Sequence, residues 1–223
     1  MMNKPTENRR EFLRRASLAA AAFPFLLSCK NNTLAQKSNA SVLSQIKKNA
    51  NTSPSVNWCG AIDAPENVSW KSVLSPKSDK DEAMTISGTV YNADGKTPAG
   101  NVLIYFYHTD GDGFYNRKRA NEPLHGHFRG WMLTGKDGRY EFTSIRPAPY
   151  PERKFAAHVH MTLTGKDFGE DSIDSILFEG DRLISAQERE AAGKKGGFNP
   201  IVRLEKGANG IWQATRDIQL WKI

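Results

Sequence analysis

After position 81 the chain runs in short β-branched and aromatic stretches separated by turn clusters, the pattern of half-buried strands and not of helices. The spacing predicts strands over residues 85–91, 102–108, 131–134, 139–145, 155–163, 175–178, 201–205 and 211–220. Glycine-containing turns punctuate them: Asn92-Ala93-Asp94-Gly95, Asp110-Gly111-Asp112-Gly113 and Gly135-Lys136-Asp137-Gly138. Residues 139–145 alternate cleanly, with Tyr140 and Phe142 on one face and Arg139, Glu141 and Thr143 on the other. Only 186–192 reads as a helix, and Gly207-Ala208-Asn209-Gly210 closes a last hairpin. The expected fold is therefore all-β: a β-sandwich of about eight strands with one short helix and an irregular N-terminal extension.

The chain before position 81 has a different texture. Residues 1–28 combine Arg9, Arg10, Arg14 and Arg15 with an apolar stretch over 16–27, too short for the roughly 20 residues of a membrane span. This is the pattern of a signal peptide, and Arg9-Arg10 followed by Phe12-Leu13 resembles a twin-arginine export signal. Leu26-Leu27-Ser28-Cys29 resembles a lipobox in which Cys29 carries the lipid. The protein is expected to be exported and lipid-anchored in the periplasm or cell envelope, touching the membrane only through that anchor. Residues 29–57 are polar and read as a flexible tether, whereas 58–80, with Trp58 and Trp70, read as an extension packed on the domain at 81–223.

Composition narrows the function classes. The 223 residues are 39% hydrophobic and 25% charged, enough for one substantial core without a disulfide framework. Lipidation of Cys29 would leave Cys59 alone, so no intramolecular disulfide is expected. The formal charge of +7 shrinks once residues 1–28 are set aside, to 26 basic against 22 acidic residues, or +4. That excess, with no basic stripe among aromatics, excludes nucleic acid as a partner. It mildly favours an anionic small-molecule substrate.

The chemistry concentrates in four residues. If 155–163 is a strand, Phe155, Ala157, Val159, Met161 and Leu163 share an apolar face, and His158 and His160 project together from the other. Two imidazoles so placed can grip one metal ion, although a His-x-His pair alone is more often a surface feature. Tyr150 sits between Pro149 and Pro151, which stiffen the backbone around it. Tyr115 leaves a strand through the glycine-rich turn at 110–113, where binding residues are often displayed. Either tyrosine alone suits ordinary packing as well. His125 and His127 form a second pair, suited to an outer shell or a pocket wall.

Taken together and in order, these motifs resemble the intradiol ring-cleaving dioxygenases, the family of protocatechuate 3,4-dioxygenase and catechol 1,2-dioxygenase. The resemblance runs from Ile86-Ser87-Gly88-Thr89-Val90 through Asp112-Gly113-Phe114-Tyr115, Arg129-Gly130-Trp131 and Asp137-Gly138-Arg139-Tyr140. It continues through Ile145-Arg146-Pro147-Ala148-Pro149-Tyr150-Pro151 and His158-Val159-His160 to Phe178-Glu179-Gly180-Asp181. It implies a non-haem Fe(III) centre held by Tyr115, Tyr150, His158 and His160. It also implies a small aromatic diol and dioxygen as substrates, Tyr150 as the labile ligand that takes a substrate proton, and a muconate-type diacid as product. A homo-oligomer is compatible with it.

One position departs from the family pattern: the arginine expected three residues before the first histidine is Phe155, which leaves Arg146 and Arg153 as the candidate catalytic cations. Two other readings compete. His108 and Asp110 could belong to the two-histidine, one-carboxylate triad of Fe(II) oxygenases. The sandwich could also be a transthyretin-like binding module without catalysis, for which Tyr150 and the His158/His160 pair would have no purpose.

Overall fold

In the computed structural model, residues 40–50, 60–74, 82–115 and 125–222 are described; the segment expected to be an export signal, Cys29 and Cys59 lie outside them. Two six-stranded sheets face each other. The first contains β1 (Lys71–Val73), β2 (Ala83–Tyr91), β5 (Arg139–Ile145), β10 (Glu205–Lys206), β11 (Trp212–Thr215) and β12 (Ile218–Gln219). The second contains β3 (Leu103–Tyr107), β4 (Arg129–Leu133), β6 (His158–Thr164), β7 (Asp171–Ser172), β8 (Ile176–Phe178) and β9 (Ile201–Val202). The expected all-β sandwich is the observed one.

Alternation along the strands builds the core. Met84 and Ile86 on β2, with Tyr140 and Phe142 on β5, point inward from the first sheet; Ile104 and Phe106 on β3, with Val159, Met161 and Leu163 on β6, point inward from the second. Phe106 and Phe142 stack across the gap at 4.1 Å between ring centroids, joining the sheets at their middle. The β2–β5 pair is antiparallel with Ile86 opposite Phe142. The hairpin between β10 and β11 forms as its turn residues predict, with Gly210 N donating to Gly207 O at 2.9 Å.

Three expectations change. Residues 40–49, expected inside a polar tether, form helix α1, whose Leu43, Ile46 and Ala50 are buried. Their i, i+3, i+7 spacing makes one narrow apolar stripe, hidden in a segment whose average is polar. That stripe packs with Ala61, Ala64 and Val68 against Leu103 and Leu133 on the outer face of the second sheet. Glu170, wholly buried, fastens this cover: its carboxylate accepts from Gly60 N at 3.1 Å, Ala61 N at 3.2 Å and the Thr162 hydroxyl at 2.5 Å. The extension also contributes β1, which pairs in parallel with β5.

The second change concerns the strand with the histidine pair. It begins at His158, not at residue 155, and Phe155 is 57% exposed. The chain turns at 150–153, where Arg153 N donates to Tyr150 O and Arg153 takes φ 52°; Ala157 N is held by the Asp181 carboxylate at 2.9 Å. The third change divides the last predicted strand at Arg216, whose buried guanidinium donates to the carbonyls of Gly197, Phe198 and Asp217. The short helix α2 spans Ala186–Ala191, capped by Ser185 and Glu188 in a reciprocal box.

Candidate metal centre

On β6 the side chains of His158 and His160 emerge two residues apart on the outer face, and their Nε2 atoms stand 2.9 Å from each other. Neighbouring strands set their height: His160 lies opposite Tyr107 of β3, and His158 opposite Leu177 of β8. His158 Nδ1 donates to the Ala156 carbonyl at 2.6 Å, so in the neutral ring Nε2 presents a lone pair. His160 Nδ1 is bonded to Ser175 Oγ at 3.3 Å. Burial above all, then the neighbouring His158, His125 and His108, hold the His160 imidazole down to about 3, in its neutral form.

Two loops bring the tyrosines to this pair. The turn after β3 is closed by Asp110, whose Oδ1 accepts from Asp112 N and Phe114 N at 2.9 Å each. Gly113 has φ +88°, and a Cβ there would stand 2.1 Å from the Pro149 carbonyl, so this turn can press on the other loop only with glycine. Thr109 Oγ1 donates to Ala148 O at 2.7 Å, and Ala148 N donates to Asp110 O at 3.0 Å. Turn and proline segment are thereby stitched side by side. The result is a Tyr115–Tyr150 hydroxyl contact of 2.7 Å, with Tyr150 Oη 3.4 Å from His160 Nε2.

Four donors thus converge with 2.7 to 3.4 Å between neighbouring atoms. Ligands about 2.0–2.1 Å from one cation, at roughly right to tetrahedral angles, stand about 2.8–3.4 Å apart. The set fits a single metal ion, and the two phenolic oxygens suit a hard, highly charged one. Burial, and then the bond from Tyr150, push the Tyr115 phenol well above its ordinary range; a cation in the cluster would reverse that balance. Among the described residues no group of three or more His, Cys, Asp or Glu side chains could hold a metal, so the candidate centre depends on its tyrosines.

An aromatic layer lies behind the donors. His125 stacks on Tyr107 at 3.5 Å with an interplanar angle of 1°, and Tyr107 stacks in turn on His160 at 4.6 Å. His125 Nδ1 also meets the Tyr105 hydroxyl at 2.9 Å, and burial holds its imidazole down to about 4. Burial, with Tyr150 next, pushes the Tyr107 phenol up to about 12. Of the second histidine pair, His125 is placed behind the donors, whereas His127 is exposed and sits edge-on to Phe128. Tyr107 and Ser175 have no signal in the sequence as neighbours of the centre; their places depend on strand register.

The remaining site candidates go elsewhere. Arg146 pairs with Glu82 at 3.6 Å and lies over the Trp212 ring. Arg153 is exposed on the turn after Tyr150. His108 is buried with both ring nitrogens engaged, Nδ1 with Thr109 O at 2.6 Å and Nε2 with Ser144 Oγ at 2.8 Å, and burial holds it down to about 4. With Asp110 committed to its own turn, His108 and Asp110 organise the loop and do not form a ferrous triad. Beside the donors lies a cavity of about 380 Å³ bordered by Tyr150, Phe155, His158 and His160, and Phe155 meets the Tyr150 ring edge-on at 6.4 Å.

A two-sheet sandwich carrying a Tyr₂His₂ cluster at one edge of its outer face defines the class. The dioxygenase family profile matches residues 67–196, more than half the chain, and the chain belongs to that family. Curated relatives include the protocatechuate 3,4-dioxygenase beta chain of Burkholderia cepacia, 30% identical over 113 residues, covering 47% of this chain and 48% of that protein. The chlorocatechol 1,2-dioxygenase of Rhodococcus opacus is 28% identical over 127 residues, covering 49% of each. The chain thus spans about half the length of the curated relatives it matches. The catechol 1,2-dioxygenase structure from Acinetobacter radioresistens shares the fold with a TM-score of 0.56 at 17% identity, over 72% of this chain and 59% of that one.

Proposed function

We propose that this chain is an intradiol ring-cleaving dioxygenase with a ferric centre at Tyr115, Tyr150, His158 and His160. The observation that carries the reading is the run of four donors, Tyr115, Tyr150, His160 and His158, in which each stands 2.7 to 3.4 Å from the next. Family membership and the names of the relatives support it. In the overall reaction the bond between the two hydroxyl-bearing ring carbons breaks, both atoms of dioxygen enter the product, and a muconate-type diacid results. Ferric iron bound there would supply Lewis acidity, favouring the doubly deprotonated diol and drawing electron density from the ring.

The protein's own groups have separable duties. Tyr150 borders the cavity and stands on a turn, so its phenolic oxygen is the one placed to take a diol proton. Tyr115, tied into the turn with Gly113, remains the fixed anionic donor. The Ala156 carbonyl and Ser175 orient the two imidazoles through their Nδ1 atoms. Phe155, Leu177 and Pro200 border the cavity and offer the ring an apolar surface. Export and lipidation at Cys29 belong to the same reading, and metabolic labelling with palmitate, lost in Cys29→Ala, checks them.

The test is a visible spectrum with iron quantification. Tyrosinate ligation predicts a strongly coloured ferric protein, bleached in Tyr115→Phe, whose iron content falls below about a tenth of the parent's. A colourless parent after ferric reconstitution would reject the assignment.

A further inference from the structure

The ring-cleavage reading says where a diol binds but not what else the ring carries, and the wall of the 380 Å³ cavity bears on that. Beside the donors the wall is apolar, made by Phe155, Leu177, Ala191 and Pro200, with Leu177 opposite His158 in the strand register and Phe155 against the Tyr150 ring. Its charged members are two carboxylates, Asp174 and Glu188; among the described residues no lysine or arginine lines it.

Both carboxylates are fixed in place. Glu188 Oε2 accepts from Ser185 N and Ser185 Oγ at 2.8 Å each, locked by the cap of α2. Asp174 Oδ2 accepts from Lys195 N at 3.0 Å, beside the Ser175 that holds His160. Of the nearby basic side chains, Lys195 meets Asp171 and Arg189 meets Glu179, each at 3.6 Å, while the buried Arg216 guanidinium feels Asp174; Glu188 is therefore the stronger source of repulsion. Lys154 borders the adjoining opening, next to Glu152. The net charge of the whole chain therefore misstates the charge a ligand meets, because partly enclosed carboxylates act at short range and distant surface lysines are screened.

We propose that this cavity selects catechols whose ring substituent is uncharged and apolar and turns away those bearing a carboxylate. Phe155 and Leu177 receive the substituent, and Asp174 and Glu188 repel the anion. The proposal rests on the ring-cleavage reading above and deepens it. Phe155 has a direct part: it sets an apolar ring at the cavity border, edge-on to Tyr150, so nothing there compensates a substrate carboxylate.

The experiment compares 4-methylcatechol with 3,4-dihydroxybenzoate on the ferric-loaded full-length chain, by anaerobic titration of the visible band and by oxygen uptake. A second readout, calorimetric titration of the iron-free chain with 4-methylphenol and 4-hydroxybenzoate, reports the cavity without turnover. The expected preference for the uncharged ligand is at least about tenfold in each readout. Glu188→Gln preserves the cap, since glutamine serves that position equally, and should raise relative acceptance of the carboxylate about threefold. Phe155→Arg, at an exposed position, should bring the two diols close to parity. A parent that prefers 3,4-dihydroxybenzoate, or a ratio unmoved in both variants, overturns the selectivity while leaving ring cleavage standing. A chain that binds neither diol and consumes no oxygen overturns both.

Discussion

The outer face of the second sheet has two ends built from the same two strands. At one end Leu103 of β3 and Thr162 and Thr164 of β6 are sealed beneath α1 and residues 60–68, with Glu170 as the fastener. At the other, Tyr107, His158 and His160 lie on the same alternation but are met by two loops carrying Tyr115 and Tyr150. Strand periodicity is identical at both ends, and only the cover differs. An outward-facing polar residue is thus not solvent-facing by default. One end uses its polar groups to satisfy a neighbouring segment, while the other gathers two phenols and two imidazoles that meet one another.

Removing Leu103→Ala should show the largest stability effect, about 2–5 kcal/mol, because a buried side chain under the N-terminal cover loses both its burial and its packing. Denaturant unfolding of the iron-free protein reads this directly. If the two ends are independent, the donor cluster of the variant should still bind ferric iron in buffer; loss of iron binding without global unfolding would show that the cover also supports the centre.

The pH dependence of stability sharpens the contrast between the buried, fully engaged His108 and the histidines of the proposed centre. The His108 imidazole is held down to about 4 by burial, against an ordinary value of 6.5, so between these values the unfolded chain binds the proton that the folded chain refuses. Its contribution is complete above pH 6.5 and is lost as the pH falls towards 4, by about 3 kcal/mol. His108→Asn should flatten that part of the profile. A profile with the same slope in the variant would place the titration elsewhere.

The smallest effect is expected at Ser175. Replacing it with alanine removes the partner of His160 Nδ1 without touching a donor atom, and should weaken iron binding about tenfold with little change in unfolding. An unchanged iron affinity would mean that the strand alone orients His160.

Much of this was legible before any coordinates. The inward positions of β5 and β6, the closing hairpin and the short helix follow from spacing and turn residues, which act locally. His158 and His160 were legible as neighbours on one strand face, whereas Tyr115 and Tyr150 were legible only as residue types in a particular order. What the sequence concealed was either averaged away or dependent on register. The α1 stripe sits in a polar segment, and its Leu43 and Ile46 acquire meaning only against Leu103 and Leu133. Phe155 continued the alternation of β6 on paper, yet the chain leaves the turn at 150–153 without pairing and the strand begins only at His158.

The sequence by itself determined the apolar faces of the strands at 139–145 and 155–163 and which residues have metal-binding side-chain chemistry, because alternation and side-chain chemistry belong to each residue. Tertiary structure decided that Tyr115 and Tyr150 meet His158 and His160, that Tyr107 and His125 stack behind them, and that the cavity wall is acidic where the chain as a whole is basic. Those are distances between residues far apart in the chain, and only packing and strand register set them.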